Sequence, residues 1–346
     1  MQQGIFRSGA LALLSIAVAA QAQPLTVVGG PGNDYQASVQ GAAEAPEVRV
    51  AVFERLDGSF SGDLWLTHST DAGASWSAPL AVVTSAANER HPSLVEGVEG
   101  GWLLFHLSNA SGAFRIHRAT SVDGLSFSSS APIALGWPTG GEINPQVRRL
   151  QDGRLLLVYH RLGGAAHASV SSDEGLSWDS TRVQISPASA ALPRIAQRPQ
   201  DGRLLLVYQT NPGNGQLQLW ARSSLDPLAW TDTPQSLAGS GNNHDAWPLW
   251  SAAGEWQVFF ARVEGGSFQI HRSRSPDGIA WSPPEALSAR PGLGNVQPMA
   301  LTTALGTELY WGAAQVSGDS NYDIVRSVLD AAIEDIFSDG FEPVPP

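Results

Sequence analysis

Arginine, histidine and carboxylate side chains recur at two kinds of position in this chain. Short apolar runs end near Glu54, Arg55, Asp57, His106, His160, Arg161, Gln209 and Arg262. Other runs open near Asp34, Tyr35, Gln36, Arg90, His91, Glu142, Asn144, Arg194, His244, Asp245, Asn295 and Gln297. A guanidinium holds a carboxylate through two parallel hydrogen bonds, and histidines, amides and acids add further donors and acceptors. Brought to one mouth, these groups suit an anionic or sugar-like ligand. The histidines show no metal-ligand spacing, and neither a G-x-S-x-G elbow nor a phosphate loop is present. No metal and no cofactor are expected.

The elements that must position these groups are written in a repeat. The nine residues QDGRLLLVY stand at Gln151–Tyr159 and again at Gln200–Tyr208. A second pattern, S-x-D-x-G-x-x-W, appears as STDAGASW at Ser69–Trp76 and SSDEGLSW at Ser171–Trp178. Looser copies are SVDGLSF at Ser121–Phe127, SLDPLAW at Ser224–Trp230 and SPDGIAW at Ser275–Trp281. The aspartates Asp71, Asp123, Asp173, Asp226 and Asp277, with a worn sixth copy at Asp330, follow one another at intervals of 50 to 53 residues. Each unit carries four runs of four to eight residues rich in Val, Leu or Ile, separated by turn residues, which predicts four hairpin-linked strands. Asp152-Gly153 reads as a two-residue hairpin turn. Four strands at a period near fifty predict one blade of a β-propeller. The fold class expected is therefore all-β, a six-bladed propeller with four antiparallel strands per blade.

PLTVV at Pro24–Val28 resembles PLAVV at Pro79–Val83, the fourth strand of the first unit. The sixth unit runs out after Asp330. The N-terminal strand is thus expected to complete the sixth blade and close the ring, which removes open sheet edges. Repetition in nearly every blade assigns the five box aspartates to the scaffold, since one site needs one set of groups. Chemistry is expected on the opposite face, where the connections between blades and between second and third strands differ most from copy to copy.

Residues 1–22 carry Arg7, an apolar run over Ala10–Ala20 and a small-x-small end at Ala20-Gln21-Ala22, the pattern of a cleaved secretory signal. The expected domains are 1–22 as signal peptide, 23–331 as propeller and 332–346 as an acidic tail. Export places the protein outside the cytoplasm: secreted, periplasmic or at the cell surface. No later run is long enough to span a membrane. The formal net charge is −12, every basic residue is arginine, and no basic stripe is present, which argues against nucleic acid as partner. Without cysteine the fold must close by packing alone, and a monomer is expected.

The S-x-D-x-G-x-x-W turns resemble the Asp boxes, or BNR repeats, of the sialidase superfamily, over about Pro24 to Asp330. That resemblance implies a six-bladed propeller. It also implies a site of three arginines, a tyrosine nucleophile with a glutamate, and an aspartate acid/base. The first arginine would stand where the chain reads Tyr35-Gln36-Ala37-Ser38, and Gln36 is neutral. The tyrosine would open the sixth blade, where Gly294–Pro298 has none. The stretch Glu142–Arg161 resembles one in which a glutamate opens a strand and an arginine ends the next, and Asp57 falls in the loop of the family acid. Three readings follow. The first is a propeller with a degenerate sialidase site that binds a glycan or other polar ligand through Arg55, Arg90, His91, His160, Arg161, Arg194, His244, Asp245 and Arg262. The second is a glycoside hydrolase using a rearranged carboxylate pair, Glu142 with Asp57 or Asp245. The third is a non-catalytic protein-binding propeller.

Overall fold

The computed structural model describes residues 23–330 except 180–181 and 318–319. The expected signal segment 1–22 and tail 332–346 lie outside the described residues. Six four-stranded antiparallel sheets follow one another along the chain, as the repeat predicts. Their innermost strands are Asn33–Gly41, Glu89–Glu96, Glu142–Arg149, Ala190–Gln197, Asn243–Trp250 and Asn295–Thr303. The N-terminal strand Leu25–Val28 pairs antiparallel with Ser320–Leu329 and supplies the outer strand of blade six. No helix among the described residues is long and apolar enough to cross a membrane.

The repeated nonapeptide explains how the blades cohere. Leu155 to Tyr159 are all fully buried, and their side chains alternate between two seams. Leu155, Leu157 and Tyr159 pack toward blade two, whereas Leu156 and Val158 pack toward blade four. A strand covered on both faces needs an unbroken apolar run, not an alternating one. The second copy repeats the device: Leu204, Leu206 and Tyr208 face blade three, and Leu205 and Val207 face blade five. Six apolar clusters result, one at each junction of neighbouring blades.

The turn before this strand is longer than the two residues expected. Leu150 N–H and Arg154 C=O close it, so Gln151, Asp152 and Gly153 form the loop. Gly153 takes φ 88° while Asp152 stays at negative φ, the three-residue hairpin that ends on a left-handed glycine. The box turns are local braces. Ser171 Oγ donates to Asp173 Oδ1 at 2.8 Å and accepts from Gly175 N–H at 2.9 Å, and Asp173 Oδ1 also accepts from Ser177 N–H at 2.9 Å. The Ser177 and Ser171 hydrogen bonds hold the Asp173 carboxyl down at about 2. Trp178 meets Phe105 of blade two edge to face at 5.8 Å, and a Cβ on Gly175 would stand 2.7 Å from that phenyl ring. Asp71, Asp123 and Asp277 make the same serine bond, and Asp226 caps Leu228 N–H. Asp330 departs from the pattern. It pairs with Arg272 and Arg274 of blade five, stapling the last two blades.

Candidate functional site

Every innermost strand is bulged near its start. The register shifts fall between Tyr35 and Ser38, Arg90 and Ser93, Ile143 and Gln146, Ala191 and Arg194, His244 and Trp247, and Val296 and Met299. Each shift contains one non-glycine residue at positive φ: Gln36 at 42°, His91 at 52°, Asn144 at 52°, Leu192 at 49°, Asp245 at 53° and Gln297 at 53°. A Cβ disfavours that conformation, so six equivalent instances mark a feature imposed by the blades. The following residue is Pro in four blades and Ala in two, and proline asks for no ladder hydrogen bond. The bulges turn these side chains toward the axis, where five of the six are polar.

At this axial floor the groups interlock. Glu54, fully buried near the end of the second strand of blade one, accepts from Arg90 Nε at 2.5 Å, and its other oxygen lies 3.9 Å from His91 Nδ1. The Gln36 amide bridges the two halves: oriented to satisfy both neighbours, its nitrogen is 2.9 Å from Glu54 Oε1 and its oxygen 2.9 Å from Arg194 Nη2. Arg194 is 7 % exposed and also donates to the Asn144 and Pro193 carbonyls at 3.3 and 2.9 Å. Asp245, partly exposed, donates its backbone N–H to Gln209 Oε1 at 3.0 Å. Burial pushes its carboxyl up to about 6; Arg194 and the Gln297 N–H oppose this, and the like charge of Glu54 adds to it. Burial, with Arg194 beside it, lowers His160 to about 4, and burial with Arg90, Arg194 and His160 drives His91 well below its ordinary value. Both rings are therefore neutral at pH 7. Between Gln36, Leu192, Arg194, Asp245 and Gln297 a cavity of about 30 Å³ remains, the size of one water.

Asp245 has a consequence for stability. The folded state holds its proton up to about pH 6, the unfolded chain only to 3.8, so stability from this group falls as pH rises between those values. Asp245→Asn mimics the protonated acid. It is expected to raise stability at pH 7 by up to about 3 kcal/mol and to change nothing below about pH 4. Urea unfolding at the two pH values measures this.

The remaining candidates stand away from the floor. Arg55 is bonded twice to Asp34, at 2.7 and 3.0 Å, and covers the Trp65 ring at 4.4 Å. Arg161 lies over Trp137 at 4.0 Å. Arg262 donates to the Ala238 and Ser240 carbonyls and to Asn243 Oδ1, at 3.2, 3.0 and 3.3 Å. These three end the second strands of alternate blades, each engaged within its own blade or its adjoining loop. His244 bonds to Asn242 at 2.8 Å and stacks edge-on against Phe268. Asp57 caps its own exposed loop, accepting from Ser59 N–H, Ser59 O–H and Ser61 N–H at 2.8, 2.7 and 2.9 Å. Glu142 is 2 % exposed at the seam with blade two, 3.8 Å from Arg115 Nη1, and among the described residues neither carboxylate oxygen has a hydrogen-bond partner. Burial raises its pKa. The structure thus gathers Arg90, His91, His160, Arg194 and Asp245, and leaves Arg55, Arg161, Arg262, His244, Asp57 and Glu142 around them. Glu54, Gln36 and Gln297 complete the floor. Their signal in the sequence is positional: two amides and an acid fall within two residues of the bulge or of its partner strand.

Residues 45–248, more than half of the chain, match the family model of the BNR repeat-like domain. No curated protein matches the chain in sequence. Among solved structures, a protein of unknown function from Dyadobacter fermentans superposes with a TM-score of 0.72 at 14 % identity, covering 88 % of this chain and 97 % of that one. The NanB sialidase of Streptococcus pneumoniae gives 0.65 at 11 % identity, covering 89 % of this chain and 70 % of the sialidase. The α-L-arabinanase of Penicillium chrysogenum, solved with arabinobiose, gives 0.63 at 14 % identity, covering 90 % and 99 %. Identities this low carry the fold and not the chemistry. With its box turns at even spacing and its six blades closed by the first strand, the chain belongs to the BNR repeat-like domain family.

Proposed function

We propose that the chain is an exported propeller that binds a neutral, sugar-like ligand over the axial floor, where a sialidase-type carboxylate site is lacking, against the partly exposed Gln36, His91, Asp245 and Gln297 and not inside the water-sized cavity between them. The observation that carries this reading is the company of Arg194. It is flanked by Glu54 and Asp245, both of which attract it. A ligand carboxylate entering there meets two acids and a guanidinium already engaged by Gln36 and two backbone carbonyls. The arginines that could answer it, Arg55, Arg161 and Arg262, are turned to their own blades. Hydroxyl groups fit better, because Asp245, Gln36, Gln297 and neutral His91 offer donors and acceptors without demanding a counter-charge. The arabinobiose bound by the Penicillium arabinanase is a ligand of that class.

Hydrolysis of a neutral glycoside is the second reading, favoured by one observation: a carboxyl near pKa 6, as in Asp245, is what a general acid requires. The nearest second carboxylate, Glu54, is fully buried and bonded to Arg90 and Gln36, which makes binding without turnover the better account. The test is calorimetric titration of residues 23–346 with arabino-oligosaccharides and with 3′-sialyllactose, beside fluorogenic glycosides of both kinds. The neutral sugar is expected to bind, the sialoside not, and Arg194→Met to weaken binding at least about tenfold. Preference for the sialoside would overturn the proposal. Turnover of a neutral glycoside, lost in Asp245→Asn, would establish the second reading instead.

A further inference from the structure

Below the floor the innermost strands enclose an axial channel of about 1140 Å³ that opens between the first-to-second-strand hairpins, on the face of the box turns. Its wall is two-sided. Blades five and six contribute Trp247, Leu249, Met299 and Leu301. Blade three, opposite blade six in the ring, contributes Gln146 and, two residues further on the same side of the strand, Arg148. At the equivalent position the other blades carry Gln40, Val95, Ala196, Leu249 and Leu301, so Arg148 is the one charge of that layer.

Arg148 has no counter-ion. Its Nε is shut off from solvent with no hydrogen-bond partner, and among the described residues it forms no ion pair. The neighbouring Arg149 also borders the channel, but it is consumed by Glu174, at 2.8 and 2.7 Å, and by the Glu96 carbonyl. Burial lowers the pKa of Arg148, and no nearby acid opposes it. The side chain as a whole is only half-buried, so its remaining guanidinium N–H groups are left to the channel, where a carboxylate would satisfy them. At the channel entrance stand Glu44 and Glu47, which repel a multiply charged ligand.

We propose that this channel is a second binding site, distinct from the axial floor, for a small organic monocarboxylate with an aromatic or branched apolar body. The carboxylate pairs with Arg148, a geometry that guanidinium groups favour. The apolar body lies against Trp247, Leu249 and Leu301, as in most small-molecule sites. The test is calorimetric titration of the full chain with phenylacetate and with its neutral analogue phenylacetamide. In the wild-type protein the acid is expected to bind at least about tenfold tighter than the amide, the worth of one charge-assisted pair. In Arg148→Gln the two should bind alike, with amide affinity unchanged. Excess arabinobiose should leave the phenylacetate isotherm in place. Equal binding of acid and amide by the wild-type protein would overturn the proposal without recourse to any variant. So would a surviving preference in Arg148→Gln, or displacement by arabinobiose, which would put the carboxylate at Arg194.

Discussion

Replacing Glu308 by glutamine is expected to cost about 3–5 kcal/mol of stability, because it strands two buried cations at once. Glu308 is fully buried in blade six. Its carboxylate receives Arg49 of blade one at 2.8 and 3.2 Å, Arg326 at 3.1 Å and the Tyr310 hydroxyl at 2.7 Å. Arg326 continues into the first box turn through the Gly73 and Ala72 carbonyls. The group therefore locks the seam at which a ring made from one chain must close. Glutamine keeps the shape but removes the charge that both guanidiniums require. Burial alone would raise the Glu308 carboxyl; hydrogen bonds from Arg49 and Tyr310, with Arg326, outweigh it and hold the group below its ordinary 4.5. Its contribution is thus complete above the unfolded value and fades as pH falls through the lower folded one. Urea midpoints of wild type and variant should converge on acidification. Midpoints that match at pH 7 would show that the two arginines find other partners. Replacing Arg49, Glu308 and Arg326 together by apolar residues should recover much of the loss, since a buried ion network is often no better than good packing.

A chain starting at Gly29 is expected to lose about 3–6 kcal/mol and to self-associate. The missing strand carries Val27 and Val28, 6 % and 2 % exposed, in the cluster that joins blades six and one. Burying two valines accounts for about that sum. The ladder from Leu25–Arg326 to Val28–Ile324 disappears as well, leaving Ser320–Leu329 as an open edge. Size-exclusion chromatography beside thermal melting separates the two effects. A monomer with an unchanged melting temperature would mean that the seam's ion pairs suffice. Adding a synthetic peptide of residues 23–29 should restore part of the stability, because the slot it fills is already formed by its neighbours.

The ring was legible in the sequence because its parts are written in residue types. Box aspartates, continuous apolar second strands and the stray PLTVV motif each have one structural meaning, and each took it. The residues of the axial floor were legible as candidates, among many others, but which of them meet was not, because that is decided by backbone register. Gln36, His91 and Leu192 sit at positive φ with no glycine to announce it, and Glu54 is a floor residue only because a bulge lies opposite. The arginines show the same limit. Arg55, Arg161 and Arg262 end their strands as the sequence reading had it. Yet each has a polar residue as its ladder partner, Asp34, Glu142 or Asn243, and two of the three are bonded to it. Residue type placed them at the mouth; pairing register decided where they point.

The six bulges carry an implication for how such proteins diversify. Leu192 adopts the same left-handed geometry as Asp245, Gln297 and His91, although its side chain forms none of their hydrogen bonds. The backbone holds the conformation whatever stands on it. Six positions around one axis can therefore be rewritten one at a time, like tumblers in a cylinder lock, without disturbing the seams that keep the ring closed. A lineage built on this frame can exchange what it recognises by single substitutions, and its members will share their architecture long after their ligands have ceased to resemble one another.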